Sequence, residues 1–529
     1  MRTPSLILSI FLVLALAVTA CGPAEDPDPD PDPVDVDDDK VGGTLRLAFI
    51  GESPSLDPHW TTAVITRQIS MHIFEQLFVL NEDFEPVPFL AEDYSLSDDG
   101  LVYEFYLQEG VMFHNGKEMT AEDVVATLER WGGKATQART AFGPKESLEA
   151  VDDYTVRLTL SEPSGTVLFA LAEPGQFSGI MPKDIIEQFG DGEVTEYIGT
   201  GPFEFVEWLP DRHVKVKRFE DYWGGPDEEP SGLAGRRTAY VDEILFIPVP
   251  DESVRIAGVE GGEYHFGAFV TADEFERMEA LPNVLNHIVK PRGYGVNIFN
   301  TEREPFNDVR MRRAVLAAYE QESVLYGAFG QPEFFRLNSC VMPEESPWHT
   351  TVGLDRYSQD DPDRARQLAE EAGYAGEEFR LMTTAEYDWM YRKDIVVEEQ
   401  LRRADFNVKL KVVDWATLVT DRNDPDQYEM FTTGMVLNIH PVQNLFIPGW
   451  TGWPGWYQNE EVDELLRDLF YREVEFDAQY AAWEQVMDIF YDDVPAVVHG
   501  DYFGLNILHA DAQGYAFFPY EFFWNVWLD

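Results

Sequence analysis

Between Asp99 and Trp131 the chain passes from one hydrophobic period to another. Leu101, Tyr103, Phe105 and Leu107 alternate with more polar neighbours, the period-two signal of a strand with one buried face. Glu109-Gly110 and Asn115-Gly116 then supply turn residues that tolerate positive φ. From Thr120, an N-cap followed by Glu122 and Asp123 in the first turn, Val124, Val125, Leu128 and Trp131 recur at helical spacing. The stretch predicts a strand, a turn and a capped helix.

The same patterns extend along the rest of the chain. Residues 42–49 read as a strand, 53–58 as a Pro-punctuated loop, and Val64 to Phe78 as a helix. Alternation predicts strands at 154–160, at 204–208 and 214–219 after the turn Ile198-Gly-Thr-Gly-Pro-Phe203, and at 240–247. A helix at 254–259 and a strand at 261–266, leading towards 267–270, follow. Beyond Lys290, Asp308 is placed to cap a helix with Val309, Ala314, Val315 and Ala318 on one face. Asp361, Pro362 and Gly373 mark the start and end of another. Segments 379–383, 394–404, 408–413 and 428–433 alternate strand and helix, which predicts a second domain with a largely parallel sheet. Helices open at Asn459 and Trp483, and the aromatic stretch Phe517 to Trp527 is expected to pack back onto the first domain. The fold class is α/β.

The N-terminus changes the picture. Arg2, an apolar run from Leu6 to Val18 and then Thr19-Ala20-Cys21 describe a secretory signal, too short and too early to be a membrane span. Residues 22–40 are Pro/Asp-rich, with Asp26-Pro-Asp-Pro-Asp-Pro-Asp-Pro33, so the segment extends as a tether of at most about 60 Å, at roughly 3.1 Å per residue. No later apolar run is long enough to span a bilayer, and no repeat of domain-building length is evident.

The chain has 529 residues, 39 Lys and Arg against 97 Asp and Glu, and a formal charge of -58. Phosphate backbones and anionic lipid surfaces would repel it, which excludes nucleic acid as a partner. The acidic excess fits a surface hydrated for a salty exterior. Its two cysteines, Cys21 and Cys340, form no disulfide framework, and Cys340 reads as a packed thiol. HExxH, CxxC, GxSxG, a P-loop and an EF-hand loop are all absent, and the ten His are dispersed, so no metal or cofactor is expected. Paired carboxylates carry no signal in so acidic a chain.

The run Tyr103-x-Phe-x-Leu-x-x-Gly-Val-x-Phe-His-Asn-Gly116, followed by Thr-Ala-Glu-Asp-Val-Val, resembles the signature of the family 5 extracellular solute-binding proteins, the peptide, nickel and oligopeptide receptors of ABC importers. Gly42-Gly-Thr-Leu45, Leu80 to Ala91, Gly199-Thr-Gly-Pro-Phe203 and Pro305-Phe-Asn-Asp-Val-Arg310 agree in order. Cys21 after Thr-Ala is similar to a bacterial lipobox, with Val18 where Leu is more usual, and implies lipidation.

The resemblance implies a two-lobed periplasmic-binding-protein-like (type II) fold: lobe I over 41–290, with an inserted subdomain at about 80–190, lobe II over 291–490, and a return to lobe I over 491–529. It implies a monomeric, extracytoplasmic, lipid-anchored receptor, not an enzyme. Such a receptor captures a small molecule, a peptide first of all, by hinge closure and delivers it to permease subunits. Cleft candidates by position are Glu52, Ser53, Phe269, Tyr294, Met435, Asn438, His440, Trp450 and Trp453. Peptide-binding relatives have a Gly-Trp and an Asp-Pro where this chain has Gly434-Met435 and, before Pro441, Asn438 and His440. The missing acid weakens the case for a free ammonium terminus, because neutral Asn or His offers a cation less than a carboxylate does. An oligosaccharide or metal-chelate receptor, or a secreted enzyme or chaperone on the same fold, are the alternatives.

Overall fold

The computed structural model describes residues 40–143 and 145–529. The signal segment, Cys21 and the spacer up to Asp39 lie outside the described residues. After β1 (Thr44–Phe49) comes α1 (Val64–Ser70), which ends eight residues before the expected Phe78. The reason is backbone pairing. The carbonyls of His72 and Ile73 accept hydrogen bonds from Phe203 N and Gly201 N, both at 3.0 Å. A Cβ on Gly199 would stand 2.0 Å from the Ile73 oxygen and one on Gly201 2.5 Å from the His72 oxygen, so the Gly-Thr-Gly motif is what admits this approach.

A hairpin of β2 (Phe78–Leu80) and β3 (Pro86–Pro88) leads to a four-stranded antiparallel sheet. Its strands β4 (Ala91–Leu96), β5 (Val102–Leu107), β6 (Lys145–Ala150) and β7 (Thr155–Leu160) lie in the order β4-β5-β7-β6. Tyr103, Phe105 and Leu107 of β5 are buried, as the alternation requires. Between β5 and β6 run α2 (Ala121–Lys134) and α3 (Thr136–Phe142). Thr120 caps α2: its N–H and Oγ1 both donate to Asp123 Oδ2, at 3.0 and 2.9 Å. The chain continues through α4 (Val167–Ala172), α5 (Lys183–Phe189), β8 (Phe203–Leu209), β9 (His213–Arg218), β10 (Glu243–Pro248), α6 (Glu252–Glu260) and β11 (Phe266–Val270). Residues 261–263 turn off the end of α6, through Gly262 N to Val259 O and Glu263 N to Gly258 O, so the strand expected from 261 begins only at Phe266.

Next come α7 (Phe275–Glu279), the long β12 (Val284–Phe299), α8 (Val309–Ala317), α9 (Gln321–Phe329) and β13 (Phe335–Arg336). Asp308 caps α8, and Asp361 and Gly373 bound α10 (Pro362–Ala372). Then follow β14 (Phe379–Thr384), α11 (Asp388–Arg403), β15 (Val408–Val413), α12 (Trp415–Asp421), β16 (Met430–Val436), α13 (Glu460–Glu464), α14 (Phe476–Asp493) and β17 (Ala496–His509).

One eleven-stranded sheet runs in the order β15-β14-β16-β12-β17-β11-β1-β10-β9-β8, with β13 on β17. β14 is parallel to both its neighbours, but β12 is antiparallel to β16 and to β17. The parallel sheet expected after Lys290 is therefore confined to three strands, because β12 and β17 enter it from opposite directions. Two large cores lie along this sheet. The first gathers Leu47, Phe78, Phe105, Trp131 and Phe203 with Phe523 and Trp524 of the aromatic C-terminal stretch. The second gathers Val296, Tyr319, Phe379, Tyr428, Trp483 and Val497. A smaller cluster around Ala48, Val259, Val284 and Leu505 packs α6 against β1, β12 and β17. Among the described residues, no helix is long and apolar enough to cross a membrane.

Candidate functional site

β12 and β17 are paired twice with a break between. Val284–Val289 pair with Gly504–His509, and Gly293–Ile298 pair with Ala496–Tyr502, so residues 290–292 bulge out of the ladder. The bulge aims Arg292 at Phe269 of β11, with its guanidinium carbon 3.8 Å from the ring centroid. Phe269 itself has φ +55°, a conformation a bulky residue rarely adopts. Two hydrogen bonds hold it there: its N–H donates to Asn506 Oδ1 at 3.0 Å, and its carbonyl accepts from Arg255 Nη2 at 3.0 Å.

Asn506 also reaches the C-terminal stretch. Its Nδ2 donates to Glu521 Oε1 at 3.0 Å and to the Tyr515 hydroxyl at 3.3 Å. Gln68 on α1 donates to the other Glu521 oxygen. Beside them, the Arg67 guanidinium lies 4.3 Å from the Tyr520 ring centroid and donates from Nη1 to its hydroxyl at 2.7 Å. Tyr502 of β17 stands among Trp389 and Phe329, with centroids 5.2 and 5.8 Å away.

The opposite wall comes from the second core. After β16 the chain leaves that core, and Leu437 and Ile439 pack into the first one. His440 then stacks on Phe169 of α4, with centroids 4.1 Å apart and planes at 24°. Gln443 Nε2 donates to Glu173 Oε1 at 3.3 Å, while Gln137 Nε2 donates to Glu173 Oε2 at 2.9 Å. Here α3 and α4 face Val442 and Gln443 across a cavity of about 210 Å³ lined by Thr136, Gln137, Phe169, Glu173, Val442 and Gln443. It adjoins a groove of about 430 Å³ that reaches Trp450, Arg467 and Tyr471.

The charges here are paired unusually. Elsewhere buried ions meet directly: Arg130 bridges Asp57 at 2.5 Å and Arg237 bridges Glu75 at 3.1 Å. In this cleft both cations lie against aromatic rings and both carboxylates are held by amides. Burial pushes the Glu173 carboxyl above its ordinary range and pulls the Arg292 guanidinium below its own. Such a site can meet groups of either charge.

The sequence-derived candidates are distributed unevenly around it. Phe269 carries Arg292. Tyr294 is buried behind the cleft, its hydroxyl accepting from Asn438 Nδ2 at 3.2 Å, and Met435 pairs with it across β12 and β16. Asn438 and His440 are both buried, and burial alone pulls the His440 pKa down to about 3, so neither presents a charge. Trp450 is exposed on the groove, against Arg467 and Tyr471. Trp453 lies under the Arg422 guanidinium, and its buried indole N–H has no hydrogen-bond partner among the described residues. Glu52 accepts from Trp208 Nε1 at 2.8 Å, and Ser53 donates to the Ser55 carbonyl at 2.5 Å. Those two line a crevice of only about 10 Å³, room for little more than one water. The reading of the sequence missed Arg67, Glu173, Arg292, Tyr502, Tyr520 and Glu521. One signal was available: Lys290-Pro-Arg292 is a charged interruption in an otherwise uncharged strand.

Among the described residues no three His, Cys, Asp or Glu side chains converge on a possible metal position. Two cores joined by paired long strands, with charged and aromatic groups facing each other between them, define a two-lobed solute-binding protein. The sequence model of the bacterial extracellular solute-binding proteins, family 5 (middle region), matches residues 85–456, and the chain belongs to that family. Its members are extracytoplasmic binding proteins, not enzymes.

Among curated relatives, the "Probable peptide ABC transporter periplasmic-binding protein y4tO" of Sinorhizobium fredii is 29% identical over 86% of this chain and 88% of its own. The oligopeptide-binding protein AppA of Bacillus subtilis is 25% identical over 99% and 98%. Among solved structures, the ABC transporter substrate-binding protein CtaP of Listeria monocytogenes superposes with a TM-score of 0.81 at 20% identity, over 92% of this chain and all (100%) of that one. AppA in complex with a nonapeptide superposes at 0.70 and 23% identity, over 93% and 99%. These superpositions establish the shared two-lobed fold.

Proposed function

We propose that this protein is the receptor of an ABC importer that captures a peptide between its two lobes and hands it to the permease. Lobe I comprises 41–290, with its insertion at about 80–190, together with 491–529; lobe II comprises 291–490. The protein acts as a monomer outside the cytoplasm, held to the membrane by lipid on Cys21, and performs no catalysis. The observation that carries this reading is the cleft's set of charges of both signs that are not paired with each other. Arg67 and Arg292 rest on rings, Glu173 and Glu521 on amides, and aromatic surface lies between. A peptide brings both charges and apolar side chains, and the named relatives y4tO and AppA are a peptide and an oligopeptide binder. Bonds that cross the cleft, Phe169 on His440 and Glu173 to Gln443, are contacts that hinge closure makes or breaks.

The test is a thermal-shift and calorimetric screen of the full-length protein, in low and high salt, against short peptides, oligosaccharides and metal chelates. A bound peptide at about 100 times its dissociation constant stabilises by roughly 2.7 kcal/mol. Saturable stabilisation by peptides is the expected result. Stabilisation by sugars or chelates with none by peptides overturns the peptide reading.

A further inference from the structure

Arg292 is the half-buried arginine of the cleft whose guanidinium donates no hydrogen bond to any described residue. Its buried counterparts are engaged by backbone carbonyls. Arg255 donates to the carbonyls of Val249, Pro250, Ala268 and Phe269, and Arg312 to those of Phe306, Asp493 and Val494. An arginine keeps its charge in a protein and carries five N–H donors; Arg292 is half-buried, and its guanidinium nitrogens retain accessible surface through which a ligand can meet them.

The way Arg292 is held shows which of its surfaces is used. At 3.8 Å from the Phe269 centroid the guanidinium must lie on the ring by its face, because an edge-on approach would hold the carbon further away. Its side chain also runs over Gly504, where an added Cβ would stand 2.8 Å from Arg292 Cδ. Face packing leaves the in-plane N–H fork free, and that fork matches the two oxygens of a carboxylate. The other groups around it are Tyr502, Tyr515 and Glu521. Glu521 is the only acid among them. Its two oxygens are held by Gln68 and Asn506, so it acts on Arg292 through space without occupying the fork. Its charge also disfavours a second negative group beside the first.

We infer that Arg292 receives a single carboxylate of the ligand, with Phe269 and Gly504 as the platform that fixes its orientation. This rests on the reading of the cleft as the ligand site and adds the anionic group its ligand must carry. The carboxylate belongs to either the ligand's C-terminus or an acidic side chain, and the fork reads both alike.

The experiment compares Ala-Ala-Ala, Ala-Ala-Ala amide and Ala-Glu-Ala amide by calorimetry on the full-length wild-type protein and on Arg292→Gln and Arg292→Lys. Wild type binds the free acid at least about tenfold more tightly than the amide, the scale of one charge-assisted hydrogen-bonded contact. Arg292→Gln removes that preference, bringing acid and amide to the same affinity, and Arg292→Lys, which keeps the charge without the fork, retains part of it. Recovery of tight binding by Ala-Glu-Ala amide assigns the carboxylate to a side chain; its absence assigns it to the terminus. The acid-to-amide comparison on wild type needs no variant and so survives a misfolded one. Equal binding of all three peptides, the acid, its amide and Ala-Glu-Ala amide, overturns the inference and leaves peptide capture standing. If no peptide binds, peptide capture falls. The comparison then moves to succinate, succinamate and succinamide on the same proteins: an Arg292-dependent preference for succinamate, the monocarboxylate, over succinamide supports the inference, and no preference overturns it.

Discussion

Acid should loosen the wall of the cleft through His440. Its ring is 4% exposed, stacked on Phe169, and its Nδ1 accepts from Val442 N at 3.3 Å. Protonation would remove that acceptor and place an unpaired charge among Phe169, Trp348 and Phe470. Burial pulls the folded pKa down to about 3 from the ordinary 6.5. For a base with a depressed folded pKa, the unfolded chain binds the proton first. The stability this group confers is therefore complete above pH 6.5 and is lost as pH falls towards 3. At pH 5 the unfolded ring is about 1.5 units below its pKa, which at about 1.4 kcal/mol per unit costs roughly 2 kcal/mol. Urea unfolding of wild type and His440→Gln at pH 7 and pH 5, in one salt, measures it as a double difference. Terms common to both proteins cancel, among them Asp501, whose burial pushes its carboxyl up to about 6 and whose contribution has the opposite sign. Wild type should lose about 2 kcal/mol more than the variant between the two pH values. Equal losses would refute the assignment of a buried, neutral His440.

Three further perturbations test other parts of the structure. Phe169→Leu keeps apolar volume but deletes the His440 stack, worth about 1 kcal/mol, so a closure-linked ligand should bind roughly fivefold more weakly, and an unchanged affinity in a folded variant would show that the stack is made in the open state as well. Arg130→Met strands the fully buried Asp57 carboxylate and should cost about 3–5 kcal/mol in chemical denaturation, with Asp57→Asn in the same chain recovering a large part; an additive double variant would count against a coupled pair. Gly201→Ala drives a Cβ to 2.5 Å from the His72 carbonyl and should lower the melting temperature by several degrees, whereas a neutral result would mean that the segments 71–74 and 199–203 are not in register.

The fold was legible where local chemistry and tertiary demand agree. Thr120 with Asp123, and Asp361 with Pro362 and Gly373, mark helix ends that the structure keeps, because a cap satisfies its own backbone whatever packs around it. α1 was overextended because residues 71–78 keep apolar content while their carbonyls bond to a segment far along the chain, and no local pattern records that. The site was less legible still. Phe269, Met435 and His440 came from position in a family pattern. Glu173, Glu521 and Arg67 did not, because an acidic chain offers many equivalent carboxylates and nothing local marks which of them faces the cleft. Only Arg292 broke an uncharged strand visibly, and its meaning depended on a bulge that appears only when β12 is laid beside β17.

The charge balance gives that arginine its weight. With 97 acids to 39 bases, a carboxylate is the commonest neighbour a cation can find on this chain, and ion pairs take up most of the arginines. Random placement would hand Arg67 and Arg292 carboxylates as well. Instead each is set on a ring, and the acids nearest them, Glu173 and Glu521, are held off by Gln137, Gln443, Gln68 and Asn506. Four amides keep these opposite charges from joining, which leaves them available to the proposed ligand. A ligand that meets them gains interactions in the closed cleft that the open form does not offer, and that difference in affinity is what a transporter can sense as closure.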